Sequence, residues 1–146
     1  ISRKGEITYC ITGDGGLQMN IQELQWVCRE QLPVTIIVMN NSSLGLIRQQ
    51  QDDMLEGRYA GAAPPGGYTA PDFCAVAEAY GIPSAKAACR EEIDQAMEEL
   101  DVNGPRLIEI RVSDRSMAYP KTNFGEEMFD QRPYMPRGLL DEILKL

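Results

Sequence analysis

Glu6-Ile7-Thr8-Tyr9-Cys10-Ile11-Thr12-Gly13-Asp14-Gly15-Gly16 is the stretch from which the fold can be read. Ile7, Tyr9 and Ile11 alternate with Thr8 and Cys10, and β-branched residues dominate, so 6–12 predicts a strand. Gly13 to Gly16 then breaks it. Asn20 followed by Glu23 has the form of a capped helix start, and Ile21, Leu24, Val27 and Cys28 give the spacing of an apolar helix face. Leu32-Pro33 ends that helix. Val34-Thr35-Ile36-Ile37-Val38-Met39 reads as a strand buried on both faces, closed by the turn cluster Asn40-Asn41-Ser42-Ser43.

Outward from this core the alternation continues. A short helix is predicted near 44–53, and 57–71 is a long loop of Gly and Pro, a kind that is usually functional or mobile. A helix over 71–80 presents Phe73, Val76, Ala77 and Tyr80 on one face and is stopped by Gly81-Ile82-Pro83. A strand at 84–88, a helix at 91–100 and a strand at 106–112 follow. Strands alternating with helices predict an α/β fold: three layers, α/β/α, around a mostly parallel sheet. Four strands are few for such a sheet and the first lies almost at residue 1, so the domain is expected to be truncated at its amino-terminal side. Two parts are expected: a partial domain over 1–112, and a tail over 113–146 that packs on it or on a partner subunit.

Composition excludes several functions. The 146 residues carry a net charge of −8, a poor match to nucleic acid, which demands clustered Lys and Arg. There is no histidine, which removes Ser-His and Cys-His nucleophile pairs and His-ligated zinc from this chain. Cys10, Cys28, Cys74 and Cys89 form no C-x-x-C pair, and three sit in apolar patterns. Buried free thiols and a reducing, cytoplasmic setting are expected. The longest apolar run, 34–39, is far too short to span a bilayer, and Arg3 and Lys4 are followed by no apolar signal-peptide segment.

Chemistry is expected beyond the carboxyl ends of the strands, where ligands bind in parallel α/β sheets. Gly13-Asp14-Gly15-Gly16 and Asn40-Asn41-Ser42-Ser43 both fall there. Asp14 offers an anionic oxygen, Asn41 an amide oxygen, and a carbonyl just after it a third. With diphosphate oxygens and a water these fill the octahedral, all-oxygen shell that Mg2+ prefers. A dinucleotide loop is the rival: Gly13 and Gly15 match its pattern, but Gln18 stands at the third glycine and no ribose-binding acid ends the second strand. Taken singly, each loop is no more than a tight turn.

Taken together, Gly13-Asp14-Gly15 and Asn40-Asn41 resemble the signature of thiamine-diphosphate enzymes. The text between and after them looks like the acetohydroxyacid (acetolactate) synthase branch: Gly-Gly-Leu-Gln-Met-Asn-Ile-Gln-Glu-Leu, then Leu-Pro-Val, then Asn-Asn-Ser-Ser-Leu-Gly-Leu-Ile-Arg-Gln. Pro71-Asp72-Phe73, Ala77-Glu78-Ala79-Tyr80-Gly81 and Gly104-Pro105-Arg106-Leu107-Ile108-Glu109 extend the likeness over most of the chain, as far as Tyr119-Pro120.

The resemblance implies that 1–112 is the carboxyl-terminal, diphosphate-binding domain of such an enzyme. Asp14, Asn41 and the carbonyl of Ser43 would hold Mg2+. Gly13, Gly15 and Gly16 would line the diphosphate of thiamine diphosphate, and Leu44, Gly45 and Leu46 would stand at the cofactor. Ile47 and Gln50 are candidates for the substrate pocket. No catalytic side chain is expected in this chain, because the family's activating glutamate lies in a separate pyrimidine-binding domain; alone, the chain should be inactive. The implied activity is decarboxylation and carboligation of a 2-keto acid by a homo-oligomer, a dimer or tetramer with active sites between subunits. FAD elsewhere in the parent is left open. One departure matters: the branch usually has tryptophan after the glutamine that matches Gln49, and here stands Gln50. That leaves room for another 2-keto acid decarboxylase or lyase. A non-catalytic domain keeping the fold is the remaining alternative, and intact Asp14 and Asn41 argue against it.

Overall fold

Four strands, β1 (Thr8–Gly13), β2 (Val34–Asn40), β3 (Ser84–Ala87) and β4 (Arg106–Arg111), form one sheet in the order β1-β2-β4-β3, every pair parallel. The computed structural model describes residues 6–122 and 125–145; Arg3 and Lys4 lie outside them. Parallel neighbours need crossovers, and helices supply them. α1 (Asp14–Met19) and α2 (Glu23–Arg29) connect β1 to β2, α3 (Gly45–Leu55) and α4 (Phe73–Ala79) lead to β3, and α5 (Arg90–Glu99) leads to β4.

Successive residues of a strand face opposite ways, so β4 divides the interior. Leu107 joins Leu24, Ile36, Val38, Phe73 and Ala77 on one face, while Ile108 joins Ala87 and Ala96 on the other. These two cores, with helices on both sides of the sheet, are the three-layer α/β/α arrangement. Phe73 is completely buried, and such a side chain contributes about 1.5–3 kcal/mol. Arg106, only 1 % exposed, donates from Nε to Thr35 Oγ1 (2.8 Å) and from Nη1 to the carbonyls of Met97 (2.9 Å) and Leu100 (2.7 Å). It thereby satisfies carbonyls that the end of α5 leaves without helical partners.

Several expectations are corrected. Gly13–Gly16 is not a loop, because α1 begins at once with Asp14. Gly13 is its extended N-cap residue, Asp14 favours a helix amino terminus, and Leu17-Gln18-Met19 sustain it. Asn20 therefore ends α1 instead of capping α2, whose N-cap residue Gln22 makes no side-chain bond. The helix expected over 71–80 starts at Phe73, with Asp72 Oδ1 accepting from the Ala75 N–H at 3.1 Å. The loop 57–71 contains one 3-10 turn, Pro64–Gly66. Of the four free cysteines only Cys74 is buried; Cys28 is half-buried, and Cys10 and Cys89 are exposed. Cys10 lies on the edge strand and Cys89 at the N-cap position of α5, where burial is incomplete.

The chain divides into two compact units, one ending at Ser116 and the other starting at Met117, four residues beyond the expected boundary. The first unit reaches further because Val112 N–H bonds the Asn40 carbonyl (3.0 Å) and Arg48 Nη2 bonds that of Ser116 (3.3 Å). The second contains an unforeseen helix, α6 (Arg137–Ile143), and an Arg137–Asp130 ion pair at 2.6 Å.

Candidate functional site

The register of β1 and β2 decides what meets at the carboxyl edge of the sheet. Gly13 pairs with Met39, so the first residues of α1 and the turn 40–43 emerge side by side. Asp14 is 2 % exposed. Its Oδ1 accepts from the Gly15 N–H at 2.8 Å and its Oδ2 from the Ser43 N–H at 3.1 Å. Asn41 Oδ1 accepts from the same Ser43 N–H at 3.0 Å, so a carboxylate oxygen and an amide oxygen converge on one donor. Burial pushes the Asp14 carboxyl above its ordinary value, and the Gly15, Ser43 and Ser42 N–H groups oppose the shift.

The turn is built from two successive side-chain-to-backbone bonds: Asn40 Oδ1 accepts from Ser42 N–H (2.9 Å) as Asn41 Oδ1 does from Ser43. Ser42 takes a left-handed φ of 53°, which throws Ser43 inward. Ser43 is buried and its hydroxyl oxygen has no hydrogen-bond partner. Asn40 is held from behind, its Nδ2 donating to Glu109 Oε1 at 2.7 Å.

Close packing leaves no room for a Cβ at Gly15, Gly16 or Gly45, where Gly16 faces Thr12 Oγ1. A Cβ on Gly15 would lie 2.3 Å from Leu44 Cδ2, and one on Gly45 would lie 2.7 Å from Asn41 Nδ2. Leu44 is half-buried between them and Gly13 and Gly16 stay exposed, so 13–16 and 41–45 form one corner. The residues after it diverge. Leu46, Ile47 and Gln50 lie on the exposed side of α3, and Ile47 and Gln50 line a groove of about 280 Å³ with Gln51, Met54 and Leu55. Arg48 turns inward instead, pairing with Asp52 at 3.6 Å.

Two contributions from the 57–71 loop escape the sequence reading. Leu44 N–H donates to the Ala62 carbonyl at 2.8 Å, and Gln18 Nε2 donates to Tyr68 Oη at 2.9 Å. Tyr68 stands beside Asp14, whose charge, after burial, raises the phenol pKa. The loop has two aromatic residues, Tyr59 and Tyr68, and the sequence alone does not single out the second.

Residues 1–110 match the family described as "Thiamine pyrophosphate enzyme, C-terminal TPP binding domain". The chain is 36% identical over 127 residues to the acetolactate synthase large subunit of Pyropia yezoensis, covering 86% of this chain and 21% of that protein. It is 31% identical over 121 residues to the acetolactate synthase isozyme 2 large subunit of Escherichia coli K12, covering 82% and 22%. Among solved structures it resembles a thiamine diphosphate-dependent 4-hydroxybenzoylformate decarboxylase from Rhodococcus jostii RHA1, with a TM-score of 0.63 and 26% identity over 74% of this chain and 20% of that one. The chain thus spans about a fifth of the length of these relatives.

Proposed function

This chain belongs to the thiamine pyrophosphate enzymes, as their C-terminal TPP-binding domain, and from that premise we propose that the Asp14–Ser43 corner holds the cofactor's diphosphate through Mg2+. The observation that carries the proposal is the convergence of Asp14 Oδ2 and Asn41 Oδ1 on one buried N–H. Two oxygens directed at one positive hydrogen suit a cation equally well, and Mg2+ takes carboxylate and amide oxygens. The unpartnered Ser43 hydroxyl supports a polar occupant, because an orphaned buried oxygen is costly. Asp14, Asn41 and the Ser43 carbonyl would be the protein ligands, and Gly13, Gly15 and Gly16 would let the backbone approach the phosphates.

Bound there, thiamine diphosphate supplies the electron sink on which 2-keto acids lose carbon dioxide. The work of this chain is position and charge. Asp14 fixes the cation, Asn41 and Asn40 set the turn that presents Ser43, and Gly45 gives Asn41 its room. The parent protein, on this proposal, decarboxylates a 2-keto acid and joins the product to a second carbonyl, as its likeness to acetolactate synthases suggests. Its active site would be completed by a pyrimidine-binding domain, in a dimer or larger homo-oligomer. The free thiols fit a reducing, cytoplasmic setting. A second proposal, decarboxylation without carboligation, is favoured by Gln50 on the exposed face of α3, where the branch usually carries tryptophan.

Calorimetric titration of thiamine diphosphate with Mg2+, beside Asp14→Ala, tests the site. Mg2+-dependent heat that vanishes in the variant is expected. Equal heat in both proteins would remove Asp14 from the site.

A further inference from the structure

On the face of the sheet that packs against α4, one cluster is unused by this function. Asp72, Cys74 and Glu109 bring two carboxylates and a thiol together, with a ligand atom from each within 4.8 Å of the others. Three elements meet to make it: the residue before α4, its first turn, and the middle of β4. We propose that these three residues form a divalent-cation site of the zinc class, separate from the Asp14 corner.

Asp72 Oδ1 is taken by the Ala75 N–H, while Oδ2 is held by Lys86 Nζ at 2.6 Å. Glu109 Oε1 accepts from Asn40, but Oε2 is buried with no hydrogen-bond partner in a residue only 8 % exposed. A buried carboxylate oxygen left alone is costly, and a cation is one way to satisfy it. Cys74 is buried, and its thiol is pushed up first by burial, with the Glu109 charge adding to the shift. A bound cation reverses that balance: the thiol proton leaves to solvent and the sulfur becomes a ligand.

Charge and chemistry select the occupant. A thiolate with two carboxylates carries three negative charges, which a dication reduces to one, whereas the Lys86 ammonium that now pairs with Asp72 supplies a single positive charge. Sulfur and oxygen donors together favour zinc over Mg2+ or Ca2+, and three protein ligands leave a fourth position for water. Lys86 occupies the place at present. Its pair with Asp72 is solvent-exposed, so water replaces it at little cost when the ammonium swings away. A cleft of about 250 Å³ lined by Lys86, Glu92, Glu109 and Arg111 gives the ion a way in. Through Glu109 and Asn40 the site would brace the turn that presents Ser43.

Cobalt is the probe, because thiolate ligation gives Co2+ a near-ultraviolet charge-transfer band. Chelator-stripped protein without thiamine diphosphate should develop a saturable band that Zn2+ abolishes by displacement. Cys74→Ser should lose the band, and Glu109→Gln should weaken binding by more than about tenfold, since even outer-shell partners of a metal are worth 10–100-fold. Lys86→Met, at an exposed position that leaves folding intact, should tighten Co2+ by roughly 2–5-fold, the worth of a surface ion pair. Asp14→Ala should leave the band unchanged, which keeps this test independent of the cofactor site. A protein with no thiolate band, a band that survives Cys74→Ser, or no tightening in Lys86→Met would overturn the proposal.

Discussion

Gly45→Ala separates the ligand role of Asn41 from its structural one. The new Cβ would lie 2.7 Å from Asn41 Nδ2, so the amide must retreat by roughly 1 Å to reach ordinary contact. Gly45 itself is the first residue of α3 and has no left-handed φ, so alanine fits its backbone. The substitution removes unfolded-state freedom, a gain of about 0.4–1 kcal/mol. Against this stands the weakened bond from Ser43 N–H to Asn41 Oδ1, worth about 0.5–1.5 kcal/mol. That loss falls at the low end of the range, because the same N–H keeps Asp14 Oδ2 at 3.1 Å. The two effects nearly cancel, and net stability should stay within about 1 kcal/mol of wild type.

Cofactor binding should respond differently. If Asn41 Oδ1 ligates Mg2+, its displacement should weaken thiamine diphosphate binding by at least about tenfold, or 1.4 kcal/mol. Calorimetry with Mg2+, alongside a denaturant melt of the same sample, reads both quantities. Wild-type affinity in a normally folded Gly45→Ala would refute Asn41 as a ligand. A loss of more than about 2 kcal/mol of stability would instead refute the packing argument.

Arg106→Met should cost about 3 kcal/mol in urea unfolding, because it leaves the Thr35 hydroxyl and the Met97 and Leu100 carbonyls at the end of α5 without their donor. Phe73→Ala, at a fully buried core position, should cost about 3–5 kcal/mol by the same measurement. Tyr68→Phe removes the acceptor for Gln18 Nε2, so limited proteolysis within 57–71 should accelerate while the global melt changes little. The Lys86 ammonium first, then the Ala75 N–H, hold Asp72 below the usual carboxylate range. Its contribution to stability is therefore present above the ordinary carboxylate pKa and fades as pH falls through the lowered one. An NMR titration of Asp72 should show that midpoint moving upward in Lys86→Met.

The strands were legible because β-branched residues carry a period-two signal that survives without context: 34–39 reads as a buried strand and is one. The neighbouring corner was legible for a topological reason, since two parallel strands must deliver their following residues to the same edge. Helix α1 was not. Gly15 and Gly16 lower its intrinsic propensity, and what sustains them there is the fit of Gly15 against Leu44, a contact that no local window contains. Asn20 misled for the same reason, because its capping pattern is real but the preceding helix reached it first. Tyr68 and Ala62 act across large sequence separations, through bonds from Gln18 and Leu44. Cys74 and Glu109 were read one at a time, the first as a core thiol; only the pairing of α4 with β4 brings them together.

Charge gives the proposed cofactor site its need for a metal. The chain carries −8 overall, and the hydrogen bonds that hold Asp14 come from backbone N–H groups, not from Lys or Arg. A diphosphate approaching a buried carboxylate without a cation would meet repulsion in a region of low dielectric, where unit charges interact far more strongly than in water. A dication between them turns both interactions attractive, so affinity for thiamine diphosphate should depend steeply on Mg2+. Asp14→Asn should then remove that dependence together with most of the binding. Tight binding that persists in EDTA would mean that the diphosphate is held by positive groups outside this corner, and would remove Asp14 from its proposed role.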